Sequence, residues 1–391
     1  AQVPRADEAV RRRAGELIAG VAGRRERLAA LVDFARRQVR YVAVEVGIGG
    51  YRPYPPAAVL GRGWGDCKDK AVLLIELLRE AGIEAFPALL RAGESGRLDR
   101  DFPAPDQFNH LIVAVPADGL GLAPDDPVAG GYLFVDPTQT RGGLRWLSPW
   151  LQDQDALVVR EGGGELVRTA IREELEVHQA EVEVAVDSAG NARGEARVVF
   201  SGAVGANLAD LLAAGPPEPV ESLGRQLLSW FFPGVVVSSL HWAQETGELP
   251  RFSFTATVVL PALLQGASGV PPAAGPIALH LPGEAMTPPP SLLAERALPV
   301  VGTPGRRSIS WRLRLPAGWC PVKPQKDVFE NALGGYRQTV ASTGGEVTIE
   351  RSTVLAGRWI EPAAFPALKE LALAEHRGMK RRVRLECAEA R

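Results

Sequence analysis

The stretch GWGDCKDKAVLLIELLREAG, Gly63–Gly82, decides how the first part of the chain is read. Ala71, Leu74, Ile75 and Leu78 recur at helical spacing and Gly82 supplies a stop, which predicts a buried helix. Cys67 falls in its first turn, between aspartates and lysines, where a plain core position would hold Val or Ala. A helix start carries partial positive charge and unpaired N–H groups. Both favour a thiolate over a thiol, and the same N–H groups can steady an oxyanion on a substrate. Asp66 and Asp69 suit that turn as caps. Bare carboxylates so close would oppose a thiolate, so they are expected to point away or to be neutralised, Asp69 by Lys68, Lys70 or Arg52.

A thiol nucleophile needs a base beside it and a group that orients the base. Two candidates follow downstream. FNHLIVAVP, 108–116, and YLFVDPTQ, 132–139, read as strands apolar on both faces, hence central in a sheet. The first carries His110, flanked by Asn109; the second ends at Asp136 before a proline. Adjacent antiparallel strands would present His110 and Asp136 on one side of the sheet, with the Cys67 helix packed across that side. Trp64 either walls the substrate channel or merely packs. Tyr41 and Tyr51, upstream, are candidates to assist the oxyanion site.

Around this centre the chain divides. Two amphipathic helices are expected between Asp7 and Val42, then a Gly/Pro loop, VGIGGYRPYPP, that lacks the spacing of a nucleotide-binding loop. EAFPALLRAG, 84–93, adds a strand. REGGGELVRTAIREELE, 160–176, reads as a junction, after which alternating strands dominate. The expected organisation is therefore α+β, with a first domain over 1–165 and a β-rich, sandwich-like domain with a few helices over 175–391. The proline-rich, apolar segment 269–290 reads as an ordered surface loop, and 362–383 as a closing helix.

Bulk properties exclude several classes. The 391 residues are 46% hydrophobic and 23% charged with a net charge of −2, so no overall field draws the chain to nucleic acid or an anionic membrane. No apolar run is long enough to span a bilayer. Three cysteines, at 67, 320 and 387, show no CxxC spacing, and the five histidines form no HExxH or paired pattern. Neither a disulfide framework, a metal site nor a cofactor is expected. Cys320 and Cys387 read as small buried hydrophobes.

The string GWGDCKDKAVLLIELLREAGIEAFPALL, followed by FNHLIVAV and YLFVDPT, resembles the transglutaminase-like core family, and within it the bacterial branch with G-D-C-K-D-K at the nucleophile. The resemblance covers roughly residues 5–160. It implies a papain-like fold, with Cys67 as nucleophile, His110 as general base and then acid, and Asp136 orienting His110. It further implies acyl transfer or hydrolysis at amide bonds of a peptide or protein substrate, and it favours a periplasmic or exported location. Many members of the branch carry a β-rich domain ahead of the core; none is read here, so the chain is expected to be trimmed or to depart from the branch. Calcium dependence is not implied, because no EF-hand-like acidic spacing occurs. The competing expectation is a catalytically silent module that docks peptides in a papain-like cleft.

Overall fold

The computed structural model describes residues 8–44, 47–93, 97–124, 126–172, 176–216, 218–232, 234–245, 247–265, 278–279, 287, 298–317, 322–380 and 383–384. Cys320, Cys387 and nearly all of the proline-rich segment 269–290 lie outside the described residues. The chain separates into two compact units, Ala1–Arg172 with Thr246–Pro250, and Glu173–Glu245 with Arg251–Arg391.

In the first unit, α1 (Glu8–Ile18), α2 (Arg24–Arg37), β1 (Arg40–Tyr41), α3 (Pro56–Arg62) and β2 (Trp64–Gly65) lead into α4 (Cys67–Glu80). Asp66 and Asp69 close a reciprocal capping box at the start of α4. Gly82, at φ +72°, ends it: the Gly82 N–H bonds to Arg79 O and the Ile83 N–H to Leu78 O, both 6-to-1 and 5-to-2 bonds of a Schellman motif, with Ile83 buried. Every residue from Cys67 to Leu78 is buried, as expected of a helix enclosed on all sides. Leu73, Leu74, Leu77 and Leu78 are wholly buried, each worth about 1.5–3 kcal/mol. The same helix buries Lys68, Asp69, Lys70 and Glu76. An unpaired buried charge costs several kcal/mol, so those leucines could not carry four of them without partners. Glu76 pairs with Arg79 one turn on, Lys68 with Asp66, Asp69 with Arg62, and Lys70 donates to Val39 O.

α3 is absent from the sequence expectation, which placed only a Gly/Pro loop there. Its N-terminal proline, Pro56, presets φ, and Gly63 at φ +69° caps its end.

After α4 come β3 (Phe86–Leu90), β4 (His110–Pro116), β5 (Val128–Ala129), β6 (Tyr132–Val135), β7 (Asp155–Arg160) and β8 (Gly163–Arg168). They form an antiparallel sheet of order β5-β6-β4-β3-β7-β8. β4 and β6 are internal strands of it. Val113, Val115, Leu133 and Val135 share a core with α1, α2 and α4, whereas Ile112, Ala114, Tyr132 and Phe134 share another with Leu147, Leu151 and Val158. Both faces are thus covered, which explains the unbroken apolar runs. The first half of the stretch expected as a junction supplies β8, where Gly162 turns at φ +86° and the following residues pair with β7 as a hairpin, while the division between the two units falls near its end, after Arg172.

The second unit contains β9 (Val177–Val186), β10 (Ala192–Ser201), α5 (Ala203–Ala214), α6 (Glu218–Phe231), β11 (Val236–Glu245), β12 (Arg251–Leu260), β13 (Leu264–Gln265), β14 (Ala278–Leu279) and β15 (Val300–Val301). It continues with β16 (Gly305–Arg314), β17 (Gln325–Asn331), β18 (Gly334–Thr343), β19 (Glu346–Leu355), β20 (Trp359–Ile360), α7 (Phe365–Lys380) and β21 (Val383–Arg384). Its long strands make one eight-stranded sheet, β11-β12-β10-β9-β16-β19-β18-β17, with β9 and β16 parallel and the other pairs antiparallel. Beside this large sheet the described residues form only two small ones, β13-β14-β21 and β15-β20, in place of the expected sandwich of two comparable sheets. α5 and α6 occupy the place of a second sheet: Leu208, Ala209, Leu227 and Leu228 pack in one core with Phe252, Phe254, Trp311 and Ile349. α7 packs against β17 and β18 around Tyr336, Leu368 and Leu371. The chain is α+β, a helical first part followed by a large β-rich region with a few helices.

Candidate active site

Cys67 is the first residue of α4 and is 9% exposed. The first intrahelical bond runs from Lys70 N–H to Asp66 O at 3.0 Å, so the N–H groups of Cys67 and Lys68 precede it and are available to an anion.

The carboxylates beside the thiol are neutralised, but not by the expected cations. Asp66 accepts the Asp69 N–H at 3.2 Å and pairs with Lys68 Nζ. Asp69 accepts the Tyr54 N–H at 2.8 Å through Oδ1 and the Arg62 guanidinium at 2.6 Å through Oδ2. Arg62 also donates to Trp64 O at 2.7 Å and stacks between two rings, 4.3 Å from the centroid of Tyr54 and 4.0 Å from that of Trp64. Trp64 therefore packs against the strut that closes the cap. Gly65 packs closely on the same carboxylate: a Cβ there would lie 2.6 Å from Asp69 Cβ and 3.3 Å from Val59 Cγ1. Gly65→Ala is expected to lower stability by about 1–3 kcal/mol in chemical denaturation, since the capping box holds Asp69 in place; a change below about 0.5 kcal/mol would show the cap to be pliable.

His110 opens β4 and Asp136 follows the last residue of β6. Continuing the Val113–Val135 register by one step puts Asp136 opposite Ile112, so His110 is its diagonal neighbour on the same face. His110 Nε2 and Asp136 Oδ2 are 3.1 Å apart. The other carboxylate oxygen accepts the Thr138 N–H at 2.8 Å and its hydroxyl at 2.7 Å. The start of α4 brings Cys67 to His110, where β4 begins, and Asp136 follows directly after β6.

The electrostatics join all three residues. Burial alone would lower the His110 imidazole. The Asp136 carboxylate, by charge and hydrogen bond, and the Cys67 sulfur, by both, raise it instead to about 10. Burial would raise Asp136, yet His110 and Thr138 hold it below the ordinary carboxylate value. With Nε2 engaged by Asp136, Nδ1 is the ring atom open to the thiol.

Two buried cations stand behind Asp136: Arg36, which the sequence reading did not single out, and Lys70, expected as a partner for Asp69. Arg36, 3% exposed, donates to Asp136 O at 2.9 Å, Gly142 O at 2.8 Å, Gly143 O at 3.0 Å and Gln139 Oε1 at 3.3 Å. Lys70, with no exposed surface, donates through Nζ to Val39 O. Desolvation lowers Lys70 to about 8 against the opposing pull of Asp136, with Arg36 lowering it further.

The remaining expected residues fall elsewhere. Asn109 uses its whole amide on the backbone of Ala92, accepting its N–H at 2.6 Å and donating to its carbonyl at 3.0 Å, and so fastens a strand end. Tyr41 and Tyr51 are exposed, at 44% and 84%, on the segment before α3. Among the described residues no group of three or more His, Cys, Asp or Glu side chains is placed to hold a metal ion, and no helix is long and apolar enough to cross a membrane.

Comparison with known proteins locates part of this arrangement. Residues 11–92 match the family model of the transglutaminase-like superfamily core. That match holds Cys67, Lys70 and Arg36 and ends before His110 and Asp136. No curated protein matches the sequence. A solved structure from Parabacteroides distasonis ATCC 8503, described as a "putative protease", aligns with 14% identity and a TM-score of 0.46, over 96% of this chain and 55% of that one. The present chain thus spans about half the length of that structure.

Proposed function

We propose that the protein is a cysteine-dependent enzyme acting on amide bonds of peptides or proteins, with Cys67, His110 and Asp136 as its triad. The observation that carries this reading is a helix-start thiol coupled to an imidazole whose other nitrogen lies 3.1 Å from a buried carboxylate. The transglutaminase-like match over 11–92 supports it.

The steps follow from the groups in place. His110 takes the Cys67 proton and the thiolate attacks the substrate carbonyl carbon. The resulting oxyanion is held by N–H groups at the start of α4. When the C–N bond breaks, His110 returns the proton to the departing amine, leaving a thioester on Cys67. Water, or a second amine, then adds to the thioester with His110 again as base, and the thiol is regenerated. Water gives a protease or amidase; an amine gives an acyltransferase. We favour hydrolysis of peptide or isopeptide bonds.

The test is alkylation of the chain's cysteines against pH, read by mass spectrometry, with His110→Ala as control. Cys67 is expected to react at least about tenfold faster than Cys320 and Cys387 below neutral pH and to lose that advantage in the variant. Equal reactivity of all three in the folded wild type would overturn the enzymatic reading and leave a peptide-docking cleft. Peptide substrates with and without added amine then separate hydrolysis from transfer.

A further inference from the structure

The proposed cycle contains a difficulty that two residues of this chain answer. Asp136 is buried, and its ionised form is favoured by the imidazolium beside it. Once His110 has given its proton to the leaving amine, that cation is gone. A buried carboxylate facing a neutral ring tends to take up a proton, because desolvation penalises its charge. A protonated Asp136 would no longer orient His110 or draw the next proton onto it.

We propose that Arg36 and Lys70 are positioning residues, a buried pair of cations that keeps Asp136 ionised and aimed while His110 is neutral; this rests on the acyl-transfer reading above. Arg36 supplies the aim. Its four acceptors all lie within 136–143, so one guanidinium fixes the backbone of Asp136 and the turn that follows it. Lys70 supplies the second charge. It stands three residues after Cys67, on the same side of α4, and its ammonium is anchored to Val39 O just beyond the end of α2. Arg36 lies in the last turn of that same helix, where the macrodipole favours cations. The end of α2 and the start of α4 are thereby tied around one carboxylate.

Asp136 is the carboxylate that both cations share. Lys70 interacts with Asp136 and Arg36, and Arg36 with Asp136, Asp33, Arg37 and Glu248. On the first turns of α4, Asp66 is closed by Lys68 and Asp69 by Arg62. His110, itself acted on by Cys67, and the Thr138 hydrogen bonds are what else favour the ionised Asp136. Lys70 is desolvated, has its own acceptor in Val39 O, and among the described residues Asp136 is the carboxylate that acts on it.

The experiment uses Lys70→Met and Lys70→Gln in the full chain, both neutral, the second able to keep a donor for Val39 O. Cys67 alkylation and the His110 ring resonances are followed from pH 3 to 10, alongside a thermal melt. Removing the cation eases proton uptake by Asp136. The acid midpoint of alkylation and the acid inflection of the His110 resonances are therefore expected to rise by about one pH unit or more in both variants. Lys70→Arg is expected to restore the wild-type value. An unmoved acid inflection in either folded neutral variant overturns the proposal. A shift in Lys70→Met absent from Lys70→Gln also overturns it, by assigning the effect to the Val39 hydrogen bond. Should Lys70→Met not fold, Lys70→Gln decides alone. If wild-type Cys67 proves unreactive, the enzymatic reading fails, while the His110 resonances still decide whether the cations govern Asp136.

Discussion

An Asp136→Ala variant is expected to lose both turnover and stability. Three effects coincide. His110 loses the group that contributes most to raising it toward 10, so the imidazole returns toward the lower value that burial dictates. Its ring loses the 3.1 Å contact that fixes the tautomer. Lys70 loses the carboxylate that acts on it, and Arg36 keeps only Asp33 and Glu248. Removal of an orienting carboxylate from a triad costs about four orders of magnitude in rate, and stripping one partner from a buried charge cluster costs about 3–5 kcal/mol. Asp136→Asn separates the two. Its amide oxygen can still accept from Thr138, so less stability is lost, but its amide nitrogen faces His110 and favours the wrong tautomer. Hydrolysis and denaturant titrations on both variants check this. Activity within tenfold of wild type in Asp136→Asn would remove Asp136 from the triad.

The reach of sequence reading follows the range of the forces involved. The Cys67 helix was legible because its signals are local: a D-x-x-D cap, leucines at helical spacing and a terminal glycine all lie within Asp66–Gly82. β4 and β6 were legible because both of their faces are buried, which writes unbroken apolar runs. β11 and β17 were not. They are the two edges of the eight-stranded sheet, largely exposed and polar, as edge strands that must resist further pairing tend to be. β8 was misread for a related reason, its glycine-led sequence and exposed flank resembling a linker.

The site divides in the same way. That the carboxylates next to Cys67 had to be neutralised was predictable from charge alone. Which cation neutralises them was not, because the choice between Arg62 and Arg52 depends on α3, a short helix hidden in a Gly/Pro-rich stretch. Arg36 is invisible to pattern reading. It looks like one more arginine on a basic helix face, and the residues it organises begin 100 positions later. Lys70 carries a faint signal, a lysine on a helix otherwise lined by leucine. Only the burial of that whole turn turns the signal into a question.

Cys67→Ala is expected to abolish turnover while leaving a folded protein, and its pH dependence tests the ion pair directly. The side chain removed is small and sits at the helix entry, so the leucine core behind it is untouched and the loss of stability should stay near 1 kcal/mol at neutral pH. Turnover has no other route to the thioester, so activity should fall to background. The informative difference lies at alkaline pH. His110 is raised to about 10 in the fold against 6.5 for the free side chain. A raised group of this kind contributes stability that is fully present below about pH 6.5 and is lost as pH climbs through its folded value. Asp136, held low, contributes in the opposite sense, with stability present above about pH 4 and lost as pH falls. In the variant the Cys67 contribution to His110 disappears while that of Asp136 remains. The alkaline loss of stability should therefore begin near pH 6.5 in both proteins but be smaller and end at lower pH in the variant, and the acid limb should move little. Denaturation midpoints measured from pH 4 to 10 on both proteins resolve this. Coincident alkaline limbs would mean that the thiol and the imidazole do not share a proton, and the triad would reduce to a structural His–Asp pair.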